Sequence, residues 1–151
     1  KKYMSLYNQI KDLVPDKNSR IDWDDYFMSL AYLISSRSLC SRLNVGCVLV
    51  NDTRVISVGY NGFLPKHPHK SIISNKHEQA TVHAEQNAIA DCAKRGISCN
   101  NSTAYITHYP CISCFKSLAA AGIKKIIYDE DYNNDPCIEK INQNIEIVKM
   151  K

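Results

Sequence analysis

Between residues 83 and 130 the chain runs HAEQNAIADCAKRG, TAYITH, ISCFKSLAAAG and KKIIYD in succession. Two stretches with helical spacing each close on a glycine, the residue that most readily takes the left-handed turn ending a helix. Short runs rich in β-branched residues follow each of them and read as strands. Upstream, VGCVLVN and RVISVGYN are separated by Asp52 and Thr53 alone, the signature of a tight hairpin. A short helix over about Asp135 to Asn142 and a last strand, IEIVKM, complete the pattern. A hairpin followed by strand–helix alternation implies a mixed, about five-stranded sheet covered by helices, a three-layer α/β/α domain.

Three further segments surround this frame. After Asp22, which suits an N-cap, WDDYFMSLAYLISSRSL places Trp23, Tyr26, Phe27, Leu30, Ala31, Leu33 and Ile34 at helical spacing, predicting a core helix to about Ser38. Residues 1–20 are polar apart from Tyr3, Met4, Leu6, Tyr7, Ile10, Leu13 and Val14, whose spacing allows an amphipathic helix before Pro15. This segment is expected to be an extension of a domain formed by residues 21–151. Residues 62–80, GFLPKHPHKSIISNKHEQA, hold two prolines and three histidines without sustained periodicity and read as a long loop, a feature that is usually functional in a compact domain.

Composition limits the partners. With 151 residues, 44% of them apolar and 23% charged, one core is expected. No run approaches the roughly 18 apolar residues of a membrane span, and the opening KKYMSLYNQI lacks the apolar centre of a signal peptide, so a soluble, cytoplasmic protein is expected. The net charge of +4 is spread along the chain, which favours a phosphate-bearing ligand mildly and a duplex nucleic acid hardly at all. Seven cysteines, an odd number without regular spacing, read as metal ligands or buried apolar residues rather than a disulfide framework.

The helix starts carry the chemistry. Cys111 and Cys114 follow Pro110 at the start of one predicted helix, three residues apart and therefore on one side of it. Positive partial charge at a helix N-terminus stabilises thiolates, the form that binds metal. His83 opens the preceding helix, and one nitrogen with two sulfurs leaves a fourth tetrahedral position open, as in catalytic rather than structural zinc sites. Glu85, two residues after His83, points elsewhere and is placed to move protons between an activated water and a departing amine. The arrangement H-x-E … P-C-x-x-C is the established signature of zinc-dependent base deaminases, and the chain matches it. Two other readings compete: a redox CxxC pair, and a structural zinc completed by Cys92, Cys99 or His108.

On these motifs, together with SRLNVGCVLV, GYNGF, TVHAEQNAI, YITHYPCISCFKSLAAAGIKKIIY and DEDYNND, the chain resembles the cytidine deaminase superfamily and, more narrowly, its deoxycytidylate (dCMP) deaminases. The resemblance covers about Ile21 to Lys149. It implies hydrolytic deamination of dCMP to dUMP and ammonia, supplying thymidylate synthesis. It further implies a homohexamer, activation by dCTP, with which Mg2+ would bind, and inhibition by dTTP. His83, Cys111 and Cys114 would hold zinc, and Glu85 would be the proton shuttle. Asn61 would hydrogen-bond the nucleoside, although an asparagine there equally serves as a turn residue. The Ala84 N–H would meet the cytosine carbonyl, Tyr109 would pack on the ring, and Arg42 would bind the phosphate, although an exposed arginine is commonly a solvated surface group. Lys116 and Tyr132 match effector-contacting positions.

One departure stands out. Many relatives place cysteines in the long loop that bind a second, structural zinc with a cysteine before the first strand; here Cys40 keeps that place but the loop offers His67, His69 and His77 instead. A second metal held by Cys40, His69 and His77 is therefore one expectation, and nucleotide contacts by the histidines another. Among enzymes, the alternatives are a dual dCMP/dCTP deaminase or another zinc nucleobase deaminase. The non-enzyme alternative is a zinc-stabilised binding module, for which Glu85 would have no purpose.

Overall fold

The computed structural model describes residues 5–14 and 19–151. Tyr3, Met4 and Pro15, named above for the first helix, lie outside the described residues. Helix α1 (Leu6–Leu13) forms as the amphipathic spacing predicts, yet buries none of its residues. Helix α2 (Trp23–Ser35) is followed by the hairpin β1 (Gly46–Asn51) and β2 (Arg54–Tyr60). Asp52 and Thr53 both take positive φ, 50° and 58°, as a two-residue hairpin turn requires. After the long connection come α3 (Ala84–Arg95), a strand over Thr103–His108, a helix over Ile112–Ala120, a strand over Lys125–Glu130, a short helix over Cys137–Ile141 and a strand over Glu146–Lys149.

The connection itself is more ordered than its composition suggests. It contains β3 (Gly62–Phe63), β4 (Ile73–Ser74), β5 (His77–Glu78) and β6 (Thr81–Val82). Strands β3 and β6 pair and close its base, while β4 and β5 form a small hairpin around Asn75 and Lys76, both at positive φ. The later elements are accordingly β7 (Thr103–His108), α4 (Ile112–Ala120), β8 (Lys125–Glu130), α5 (Cys137–Ile141) and β9 (Glu146–Lys149).

The main sheet has five strands in the order β2-β1-β7-β8-β9. Strand β1 is antiparallel to both neighbours, whereas β7, β8 and β9 run parallel. Alternation along the strands divides the core. Cys47, Leu49, Ala104, Ile106 and Ile126 meet Ala84, Ala88, Phe115, Leu118 and Ile138 of α3, α4 and α5. Val48, Val50, Tyr105 and Ile127 meet Phe27, Met28 and Ala31 of α2 on the opposite face. This is the mixed three-layer α/β/α architecture expected.

Two details differ. Helix α2 stops at Ser35, because the Ser35 and Ser36 hydroxyls donate back to the Tyr32 and Leu33 carbonyls and the next bonds, Arg37 to Ile34 and Ser38 to Ser35, span three residues. Trp23, Tyr26 and Leu33 are exposed instead of core: only one face of α2 meets the sheet. Trp23 stacks at 5.5 Å and Tyr26 stands edge-on at 5.1 Å against their own helix's Phe27.

Close approach of the helices to the sheet depends on two glycines. A Cβ on Gly46 would overlap the Ala31 carbonyl of α2, and one on Gly59 would overlap the Ala84 carbonyl and come within 2.6 Å of the Ala88 nitrogen of α3. Backbone atoms there have nowhere to yield. Gly59→Ala is therefore expected to lower unfolding free energy by about 3 kcal/mol, despite the usual advantage of alanine over glycine in a strand. Denaturant unfolding checks this, and an unchanged or raised midpoint would contradict it.

Candidate active site

The first turns of α3 and α4 are brought together across the top of β7. His83 is the N-cap of α3 and Cys111 the N-cap of α4, both with extended backbone, at φ −67°, ψ 154° and φ −70°, ψ 165°. Pro110 is buried beside Tyr109, and the Cys114 N–H donates to Cys111 Sγ at 3.4 Å, pinning that sulfur over the helix start. His83 Nδ1 lies 3.3 Å from Cys114 Sγ and 3.6 Å from Cys111 Sγ. All three donor atoms lie within 4.8 Å of one another, and among the described residues this is the cluster of three or more metal donors. A zinc tetrahedron with bonds of about 2.0 to 2.3 Å has edges of about 3.5 Å, so both nitrogen–sulfur separations fit. Imidazole and thiolate are also the donors zinc prefers.

Glu85 completes the group from one side. It is buried, with 4% of its surface exposed, and lies against the Cys114 thiol. Burial pushes its carboxyl above the ordinary carboxylate range. The Cys111 thiol is held down at about 4, chiefly by its hydrogen bond with the Cys114 side chain, with His83 and the Cys114 N–H adding to it. Cys114 is pushed up by the same hydrogen bond, by burial and by the Glu85 charge. His83 is raised through its hydrogen bond to Cys111. A cavity of about 400 Å³ opens over His83, Glu85 and Cys111, and a second of about 390 Å³ shares Cys40, Arg42, Glu78 and Thr81 with it.

Residues 21–130 match the cytidine and deoxycytidylate deaminase zinc-binding region. The chain belongs to the cytidine and deoxycytidylate deaminase family. ComE operon protein 2 of Bacillus subtilis is 42% identical over 126 residues, covering 81% of this chain and 67% of that protein. The deoxycytidylate deaminase of Saccharomyces cerevisiae is 34% identical over 139 residues, covering 85% of this chain, which spans 44% of the yeast protein's length. Among solved structures, the dCMP deaminase of cyanophage S-TIM5 in complex with dCMP and dUMP has a TM-score of 0.77 and 30% identity, covering 87% of this chain and 99% of that one.

Within this deaminase family fold, the other residues singled out in the sequence are not all gathered at the cavity. Arg42, Asn61, Ala84, Tyr109, Tyr132 and His77 line the cavity over the metal donors. Tyr132, matched in sequence to an effector contact, thus stands beside the metal donors, whereas Lys116 is exposed on α4 and lines neither cavity. Cys40, His69 and His77 do not assemble into a metal-donor cluster. His69 stacks on Phe63 at 5.3 Å, and Cys40 lies between the two cavities. Cys92 and Cys99 are packed in the apolar core and His108 is bonded elsewhere, so the donors named for a structural zinc stay apart from the cluster.

Sequence reasoning missed two residues that shape the site. Asn87, one helical turn after His83, donates to the Tyr60 carbonyl at 2.8 Å and so ties α3 to the end of β2. Glu78 accepts the N–H groups of Ile72 at 3.1 Å and Ala80 at 2.7 Å, closing the β4–β5 hairpin against the cavities. The Asn87 spacing was available in the sequence; the Glu78 bonds depend on a turn that the sequence does not announce.

Asn61 is not free in the cavity wall. Its Oδ1 accepts the Val45 N–H at 2.9 Å and its Nδ2 donates to the Leu43 carbonyl at 2.7 Å, so it clamps the segment that carries Arg42. Asn61→Ala leaves both backbone groups without these partners and is expected to cost about 1–3 kcal/mol. Amide exchange should report it as faster exchange at Val45; unchanged protection there would contradict the clamp.

Proposed function

We propose that the chain deaminates dCMP hydrolytically to dUMP and ammonia in the cytoplasm, with residues 21–151 as the catalytic unit, residues 1–20 as an extension, and zinc as cofactor. The observation that carries this reading is the buried Glu85 carboxyl beside a His83, Cys111 and Cys114 cluster, with Glu85, His83 and Cys111 opening on one cavity. Relatives that are dCMP deaminases, one of them solved with dCMP and dUMP, support the choice of substrate.

His83 Nδ1 and the sulfurs of Cys111 and Cys114 would hold the zinc. When bound there, zinc supplies Lewis acidity, which brings the pKa of a water ligand down to about 7. Glu85 takes one proton of the attacking water and gives it to the ring nitrogen, which keeps it in dUMP, then takes the second as the added hydroxyl becomes the carbonyl and gives it to the departing amine, so that one water is consumed and one ammonia leaves. Burial excludes bulk water from that carboxyl and confines the proton to this path. Tyr109, held edge-on to Tyr128 at 4.9 Å, would pack on the base, and the Ala84 N–H at the start of α3 would meet its carbonyl. Asn61 and Arg42 bound the sugar and phosphate end, where an arginine fork suits a monophosphate.

The finer reading is a homohexamer regulated by dCTP, bound with Mg2+, and by dTTP, with Lys116 and Tyr132 as effector contacts. The adjoining cavity beside Arg42 leaves room for a dual dCMP/dCTP specificity as the second reading.

Purified protein assayed for ammonia with dCMP, dCTP, CMP, deoxycytidine and guanine should prefer dCMP. Glu85→Gln should keep its zinc and fold while turnover falls at least about 100-fold. Unaffected turnover in that variant would sink the mechanism, and preference for guanine or free deoxycytidine would sink the substrate.

A further inference from the structure

His108 is the buried titratable side chain on the cavity wall that the proposed chemistry leaves without a task. It ends β7 in register with Glu130 on the parallel strand β8, and its side chain is 9% exposed. Its Nδ1 lies 2.7 Å from Thr107 Oγ1 and its Nε2 lies 3.1 Å from Glu130 Oε2. The carboxylate fixes one ring proton. A carboxylate only accepts, so Nε2 carries a hydrogen; the buried Thr107 hydroxyl, which accepts the Gly46 N–H at 3.1 Å, is hydrogen-bonded to Nδ1. With both nitrogens engaged inside the protein, His108 has none to offer a reacting base.

What the imidazole holds is the chain that follows β8. Tyr132 stands edge-on to it, with ring centroids 6.2 Å apart and planes at 79°. Tyr132 and Asn133 line the same cavity as His83 and Glu85, while the Tyr132 N–H bonds within its own turn, to Asn134 Oδ1 at 2.8 Å. The far side of this turn is tethered to β9 by the Lys149–Asp131 pair at 2.7 Å. On the cavity side the Tyr109 N–H donates to the Glu130 carbonyl at 2.8 Å, and the His108 ring meets the Glu130 and Tyr132 side chains.

We propose that His108 is a positioning residue, whose bond to Glu130 and edge contact with Tyr132 hold residues 130–133 as the outer wall of the substrate cavity and thereby set substrate affinity. It acts on binding and not on the chemical step. The kinetic part of this inference rests on the deaminase reading above, whereas the placement of the wall does not.

Ring-nitrogen NMR of the zinc-loaded full chain tests the placement. His108 should carry its hydrogen on Nε2 and show a through-space contact with the Tyr132 ring. Glu130→Ala should abolish that contact, and Glu130→Gln, whose amide oxygen still accepts, should keep it. In steady-state assays, His108→Phe and Glu130→Ala should each raise KM for dCMP about tenfold with kcat within about twofold and zinc retained, the pattern of lost uniform binding. Glu130→Gln should restore the KM of the unaltered chain, and the double variant should be no worse than either single one. A ring with no hydrogen on Nε2, a Tyr132 contact that survives Glu130→Ala, or additive KM effects would each overturn the proposal. If the unaltered chain proves inactive on dCMP, the substrate reading fails, and the NMR result still decides where the wall is held.

Discussion

The structure depends on two helix N-termini being made to face each other. His83 and Cys111 are both N-cap residues, and their side chains meet because α3 and α4 pack on the same face of the sheet at the end of β7. Everything else serves that meeting. Gly59 lets α3 settle onto β2, Asn87 ties its first turn to Tyr60, and the hydrogen bond from Cys114 to Cys111 pins the second helix start. A site built on rigid helix starts is held more firmly than one built on loops, which suits a group whose metal donors must stay within a few tenths of an ångström of a tetrahedron.

The parts of the fold legible in the sequence are those with a local physical cause. Gly96 and Gly122 take positive φ where the helices end, and Asp52 and Thr53 turn the hairpin that their position between two β-branched runs predicts. The metal donors were legible because both halves of the motif stand at helix starts, where charge and geometry leave few other uses for them. Other features were hidden. The β4–β5 hairpin turns on Asn75 and Lys76, and lysine carries no turn signal, so a segment with two prolines upstream read as loop throughout. On α2, apolar spacing cannot tell a face that meets the sheet from one where Trp23 and Tyr26 pack on a neighbouring ring of the same helix. The second metal expected at Cys40, His69 and His77 depended on tertiary distances alone, and those residues do not converge.

Asn61 and Tyr132 show how geometry changes what a residue is asked to do. The asparagine is a backbone clamp before it is anything else, since both ends of its amide are already engaged by Leu43 and Val45. A substrate contact from it would use the remaining hydrogen of Nδ2 or the second lone pair of Oδ1, so the clamp and the contact are compatible. Tyr132 lines the cavity on which His83, Glu85 and Cys111 open, which puts the DEDYNND turn in the wall of that cavity. Any ligand that moved this turn would reshape the cavity.

The central claim is an open metal site made from one imidazole and two thiolates contributed by two helix starts. Zinc-edge X-ray absorption on the purified protein tests it most directly. Two sulfurs at about 2.3 Å and one nitrogen at about 2.0 Å, together with a light-atom ligand from outside the chain, are the predicted shell. A shell of three or four sulfurs, or one without sulfur, would contradict the site described.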